Sequence, residues 1–404
     1  MKKIILFKSL IALLLVQEVI AQDCKTNTDL DATPGKYLTA AQYPWPAVRA
    51  EYYNKMTGAA DKATAKQILT QLEKIEQQSR NGFTLTGGNW ENYYSTEGYN
   101  CAGAVKLGQY TFQSALYEYF CVKGKSVRNS EYSTVLRMYA NNVQLNTLEP
   151  YLTNPFGSSM GGTYDLGFQY MDWKNHKLSE PNAQLISLFT YLSCNSASLV
   201  DAINSGKNYF QDVAEKDIRP NNRSNYVYRY WFIKNKAIPV LIPVTRKEYL
   251  QSLLEYYERE KLYFPKLVTK LTDEHDNGVK QYSNWQADVE GKIAVVKKVL
   301  SEQKEDWLNA QAVINRIEDG SKNYKAGLTE KTNYNRFWTF YGSENKSVPL
   351  YKYNPEYFKT ITQNPAKPQI ITIAFRYITV PSSLRLLNNF TENFDFEAVK
   401  KLVQ

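Results

Sequence analysis

Between Phe83 and Leu145 apolar and polar residues alternate with a period of two, whereas on either side the apolar residues recur every three or four positions. A period of two places every second side chain on one face of a strand; a spacing of three or four lines one face of a helix. Here the two periods come in blocks. Helices and strands in segregated runs point to an α+β fold, not to the alternating βα order of a doubly wound sheet.

The expected blocks are an antiparallel, β-rich N-terminal part with flanking helices, then a long helical pair and a strand-rich C-terminal segment. Residues 22–44 are polar and Pro-containing and read as a tether. From Ala60 to Arg80, Ile68, Leu69, Leu72 and Ile75 share one helical face, and Asn81-Gly82 stops the helix. Gly87-Gly88 within "FTLTGGNWENYY" reads as a hairpin turn, with further turns at Gly108, Gly124 and Asn141-Asn142. From Pro181 to Lys216 the pattern becomes helical, with Leu185, Leu188, Phe189 and Leu192 on one face. The "IRPNNRSN" stretch, residues 218–225, reads as a linker. It would divide an N-terminal α+β domain, 22–220, from a C-terminal α+β domain with a helical hairpin, 221–404.

In the second half "YVYRYWFIKN" reads as a strand. Thr245 and Glu248 then form a T-x-x-E capping box, and Val244 with Tyr249 supplies a hydrophobic staple. The alternative at Thr245-Arg246-Lys247 is a phosphate site at a helix N-terminus. That reading lacks the glycine-rich loop such a site uses, since Ile242-Pro243-Val244 is stiff and apolar. The helix should reach about Phe264, where Pro265 kinks or ends it. After Asp276-Asn277-Gly278, Tyr282, Trp285, Val289, Ile293, Val296 and Leu300 mark a second helix, antiparallel to the first. "YNRFWTF", "LYKY" and "QIITIAFRYI" return to strands, and Asp395 caps a last short helix.

Residues 1–21 read as a secretory signal peptide: Lys2 and Lys3, a short apolar run, then Val19 and Ala21 before Gln22. The run is too short to span a bilayer, which needs about 20 apolar residues. No later segment has the length and apolarity of a membrane span. In an oxidising compartment Cys24, Cys101, Cys121 and Cys194 suggest two disulfides, with all three connectivities open. A hairpin turning at Gly108 would set Cys101 opposite Ala115, so a Cys101–Cys121 pair is not assured. The formal charge is +9, or +7 without the leader, and it is dispersed. No basic block marks nucleic-acid binding.

Three stretches carry a resemblance: the leader ending VIA-Q, "IPVTRKEYLQ" at 242–251 and "FDFEAVKKLV" at 394–403. Together they resemble uncharacterised secreted proteins of Bacteroidetes-type bacteria. The resemblance implies a secreted, periplasmic or outer-surface protein of a Gram-negative bacterium. It implies no activity.

Catalytic signals are sparse. Gly157-Ser158-Ser159-Met160-Gly161 fits G-x-S-x-G, with Ser159 as nucleophile, Asp172 or Asp165 as acid and His275 as base. Its context is wrong, because prolines precede it and no helix signal follows. His275 lies among Asp273, Glu274 and Asp276, which look like a turn between helices, and His176 lacks a secure helix to share with Asp172. No metal site or cofactor is expected, and no cysteine stands beside a histidine as a catalytic thiol would. With 32 tyrosines and 14% aromatic residues, the chain is better supplied for binding than for catalysis. Trp90, Tyr93, Tyr94 and Trp173 are the candidate ligand-stacking residues; the first three would sit near a hairpin tip at Gly87-Gly88. The leading expectation is an exported, non-enzymatic binding protein whose partner is a glycan or an envelope protein. A secreted hydrolase of glycans or esters and a structural envelope component are the alternatives.

Overall fold

The computed structural model describes residues 24–42, 56–147, 187–216, 225–272, 290–315 and 347–404, apart from positions 57, 133, 292, 362 and 363. Its centre is an eight-stranded sheet. The strands are β1 (Tyr37–Leu38), β2 (Gly88–Ala102), β3 (Val105–Val122), β4 (Lys125–Arg128), β5 (Thr134–Ala140), β8 (Tyr209–Lys216), β9 (Asn225–Lys234) and β13 (Ile370–Tyr377). They run in the order β1-β2-β3-β5-β13-β9-β8, with β4 paired to β3. Only β1–β2 is parallel; the other pairs are antiparallel. A smaller sheet joins β6 (Asn146–Thr147), β7 (Leu192–Ser193), β10 (Leu241–Pro243), β11 (Val313–Asn315) and β12 (Ser347–Tyr353) in the order β10-β12-β7-β6, with β11 on β12. The α+β class expected from segregated periods is the class observed.

The long hairpin β2–β3 turns at Gly103, whose φ of +59° suits glycine. The turn expected at Gly108 does not exist. Gly108 lies within β3, where the Pro365-Ala366 backbone crosses it: a Cβ there would meet Ala366 Cα at 3.0 Å, and Gly108 N donates to Pro365 O at 2.8 Å. Close approach, not chain reversal, selects this glycine. At Gly87-Gly88 there is likewise no hairpin, because β2 begins at Gly88 and runs unbroken to Ala102.

One face of the main sheet carries the helices. Helix α1 (Ala59–Ser79) packs Ile68, Leu69, Leu72 and Ile75 onto it, the face read from the sequence. Near the C-terminus, Pro381–Asn393 and Phe396–Lys400 add Leu386, Leu387, Phe390 and Val399. Asp395 caps the last helix by accepting from Ala398 N at 2.8 Å. Beneath them lie Trp90, Tyr110, Phe112, Met138, Ile373, Phe375 and Trp231. This face is a continuous apolar core.

Other elements correct the sequence reading. The tether expected at 22–44 is anchored where it is described: β1 pairs with β2, and Leu30 is buried. Residues 181–186 of the helix expected over 181–216 lie outside the described residues, and from Ser187 on the chain forms a short 3-10 turn (Ser187–Thr190), β7, helix α2 (Ala197–Ser205) and β8. The residues "IRPNNRS" of the expected linker lie outside the described residues, and strands from both sides of residue 220 share the main sheet.

Helix α3 (Arg246–Thr272) continues past Pro265. Its start is the reciprocal box: Thr245 N donates to Glu248 Oε2 at 3.0 Å, and Glu248 N donates to Thr245 Oγ1 at 3.2 Å. Val244 and Tyr249 are both fully buried, as a staple requires. The Arg246 guanidinium lies 4.6 Å over the Trp307 ring, which is where this first-turn cation goes. Residues 290–302 are helical where described, and the ion pairs Lys261–Glu290 and Lys297–Glu258 run the second helix antiparallel to α3.

Two disulfides were expected and one is formed, Cys24–Cys121. Cys101 is half-buried and Cys194 buried, both as free thiols. The β2–β3 register explains why Cys101 does not reach Cys121. Cys101 lies opposite Lys106, next to the hairpin turn, and Cys121 is at the far end of β3. The rise of a strand, about 3.3 Å per residue, keeps the two ends of β3 far apart. Burial raises both free thiols above the ordinary range, so they are poor thiolates.

Candidate functional site

The sheet's two faces differ in chemistry. On the helix face two carboxylates are buried together, Glu73 and Glu76. Each is consumed by the fold. Glu73 accepts from Ala40 N at 2.8 Å, from Asn92 Nδ2 at 3.1 Å and from the Tyr94 hydroxyl. Glu76 accepts from Trp90 Nε1 at 2.8 Å and from Arg80 Nη2 at 3.0 Å. Ser114 Oγ holds Asn92 Oδ1 at 2.6 Å. This network ties α1 to β2 and β3. Burial raises the Glu76 carboxyl, and Arg80, Trp90 and Asn92 oppose that rise.

Trp90 and Tyr94 belong to this network. Their relative exposures are 2% and 9%, so they form no surface platform. The expectation failed because the hairpin tip that would have exposed them is absent. Alternation in β2 turns both rings onto the helix face, where Trp90 stacks on Phe375 at 6.4 Å. Tyr93 points the other way and is half-buried. Trp173, Ser159, Asp172 and His275, with Asp165 and His176, lie outside the described residues. Among the described residues no cluster of His, Cys, Asp and Glu could hold a metal ion.

The opposite face is built from cross-strand rows. In one row Tyr93, Gln113, Arg137, Ala374, Tyr230 and Tyr209 lie side by side across β2, β3, β5, β13, β9 and β8. In the next, Ala115, Val135, Arg376 and Tyr228 do the same. Arg137 and Arg376 are therefore diagonal neighbours on adjacent strands. Such positions are separated by about 7–8 Å. Beside them opens a cavity of about 100 Å³, lined by Val135, Arg137, Tyr139, Gln144, Tyr228, Tyr230, Ala374 and Arg376. Val135, Tyr139 and Ala374 are buried and form its floor; the two arginines, both β9 tyrosines and Gln144 reach the surface. Ala374 makes the hollow, since a longer side chain between Arg137 and Tyr230 would fill it.

Tyr132 holds both guanidiniums. Arg137 Nη2 donates to its hydroxyl at 2.9 Å, and Arg376 Nη2 donates to its carbonyl at 3.3 Å. Arg137 Nε donates to Gln113 Oε1 at 2.6 Å. Burial alone would raise the Tyr132 phenol, but the charge of Arg137 and hydrogen bonds with Tyr93, Gln113 and Arg137 bring it below the ordinary tyrosine range. Tyr93 shows the reverse: burial first, then its tie to Tyr132, raises its phenol well above that range. On β9 the rings of Tyr228, Tyr230 and Phe232 stack in parallel at 6.1 and 6.0 Å.

Every partner of these two arginines is a phenol, an amide or a carbonyl. Among the described residues neither has a carboxylate within ion-pair distance, although Arg80 and Arg128 each have one. Arg376 Nε and Gln113 Nε2 are buried without an acceptor. Buried polar groups are normally paired, so vacant donors beside an uncompensated cation pair are unusual. Sequence reasoning missed Arg137 and Arg376. The signal was a single arginine inside each of two apolar strands, "TVLRMYA" and "IITIAFRY".

Compared with protein-family models, curated proteins and solved structures, the chain finds no match.

Proposed function

We propose that the protein is an exported, non-enzymatic binding protein of the bacterial envelope, and that the Arg137/Arg376 face of its main sheet receives a glycan. The observation that carries this reading is the cavity between two guanidiniums without carboxylate partners, walled by the parallel rings of Tyr228 and Tyr230. Aromatic faces and arginine forks suit a ligand that is part apolar face and part polar edge. The lining offers no carboxylate, imidazole, thiol or serine hydroxyl with which to do hydrolysis. Of the buried carboxylates described, Glu73 and Glu76 are bonded into the core on the other face, and Glu91, at the β2 end of the row that holds Arg376, is paired with Arg128. Export is supported by the leader sequence and by the Cys24–Cys121 disulfide, a bond that persists in oxidising compartments. No helix among the described residues is long and apolar enough to cross a membrane.

A thermal-shift screen of the exported protein against envelope and plant polysaccharides tests the reading, because a ligand of the native state raises Tm by mass action. A glycan should raise Tm, and Tyr230→Ala should reduce the shift. If no glycan shifts Tm, or if Tyr230→Ala leaves the shift intact, the site is misassigned. Trp90 is not part of this test, since its removal would damage the core.

A further inference from the structure

We propose that the cavity is selective for an acidic glycan, with the carboxylate of a uronate residue seated between Arg137 and Arg376. This rests on the glycan-binding reading and adds the charge of the ligand to it. The main observation is electrostatic. Two like charges stand as diagonal neighbours on β5 and β13, and among the described residues no carboxylate stands within ion-pair distance of either. One carboxylate between them would supply the missing counter-charge and accept from both forks. Guanidinium–carboxylate pairing is among the stronger hydrogen-bonded contacts in proteins because both partners are charged and planar.

The second observation is the vacant donor. Arg376 lines the cavity, uses Nη2 on a carbonyl, and leaves Nε without an acceptor. An anion that drew this guanidinium round would satisfy it. The third is size. A hollow of about 100 Å³ takes a carboxylate and the edge of one ring, not a folded peptide. Tyr228 and Tyr230 then stand where the pyranose would lie, with ring planes 4° apart. A sugar presents a flat C–H face to such rings and its carboxylate at the edge.

The test uses the full exported chain and isothermal titration calorimetry. The probes are oligosaccharides of galacturonate, mannuronate and glucuronate, their carboxyl-reduced neutral counterparts, sulfated oligosaccharides and a glutamate tetrapeptide. The expected result is binding of at least one uronate series, at least tenfold weaker for its reduced counterpart. Arg376→Gln should weaken uronate binding by about tenfold or more, the scale of one charged hydrogen bond. A second variant, Ala374→Leu, fills the hollow, keeps both cations and should also abolish binding. Circular dichroism confirms that both variants fold.

Equal binding of a uronate oligosaccharide and its reduced form overturns the carboxylate proposal and leaves glycan binding standing. Preference for the sulfated probes does the same. Binding of the glutamate peptide alone, lost in Arg376→Gln, overturns the acidic sugar and the glycan reading together. No binding by any probe also overturns both.

Discussion

Removing the Cys24–Cys121 cross-link should lower stability by an amount set mainly by loop length. The bridged residues are 97 apart in sequence. For a loop of about 100 residues the chain-entropy model gives about 4.7 kcal/mol at 25 °C. Unfolding entropy of about 2.1 cal/mol/K per residue makes the whole chain's entropy about 0.8 kcal/mol/K, so Tm should fall by about 5–6 °C. The structure isolates the effect. Cys24 N donates to Gly124 O at 3.0 Å, and Cys121 N donates to Asn27 Oδ1 at 2.8 Å. Both bonds use backbone N–H groups and survive replacement of the side chains. Leu30 remains buried as a further anchor. The double variant Cys24→Ala/Cys121→Ala should therefore keep its fold and lose the entropic restraint. Scanning calorimetry measures the shift, and thiol titration of the wild type under denaturing conditions should find two free thiols before reduction and four after. A count of zero or four in the unreduced protein refutes the pairing. A count of two with a Tm loss under about 1 °C refutes the entropic argument.

Arg80→Met should destabilise the protein by about 3–5 kcal/mol at neutral pH, because it leaves the buried Glu76 carboxylate without its cation. Burial raises the Glu76 carboxyl above its ordinary value of 4.5 despite Arg80. Its contribution to stability is thus fully present below pH 4.5 and is lost as pH rises through the folded value. Without Arg80 that value rises further, so the variant's deficit should be smaller in urea melts at pH 4.5 than at pH 7.5; an equal deficit at both argues against it. Thr245→Ala should cost about 1 kcal/mol, the usual loss for an N-cap, measured by the same melts. Unchanged stability would mean the box closes without the hydroxyl.

The sequence was most legible where one residue type settles a local question. The T-x-x-E box, the apolar face of α1 and the Asp395 cap were all readable, because each depends on neighbours within four positions. Glycine was ambiguous because it answers two needs. Gly103 turns the chain, whereas Gly108 admits a backbone more than 250 residues away in sequence, and only the fold separates these uses. The site was illegible for a related reason. Arg137 and Arg376 are 239 residues apart, and their adjacency exists only through the β5–β13 register. Trp90 and Tyr94 looked like binding residues because aromatic content was visible and strand facing was not.

The same register sets up a competition between stability and binding. Two cations separated by about 7 Å in an effective dielectric near 20 repel by about 2 kcal/mol. Among the described residues no carboxylate stands within ion-pair distance of Arg137 or Arg376 to offset that repulsion directly. A residue kept at a cost to the free protein points to a task in the bound one. Arg376→Gln should then leave the ligand-free protein at least as stable as the wild type, since it removes the repulsion and retains an amide to meet the Tyr132 carbonyl. Urea melts at low and moderate salt measure this directly. The advantage of the variant should be larger at low salt, where screening of the half-exposed pair is weakest. If Arg376→Gln instead unfolds more easily than the wild type at every salt concentration, the arginine is a structural member of the sheet. The charge argument for an anionic ligand would then lose its basis.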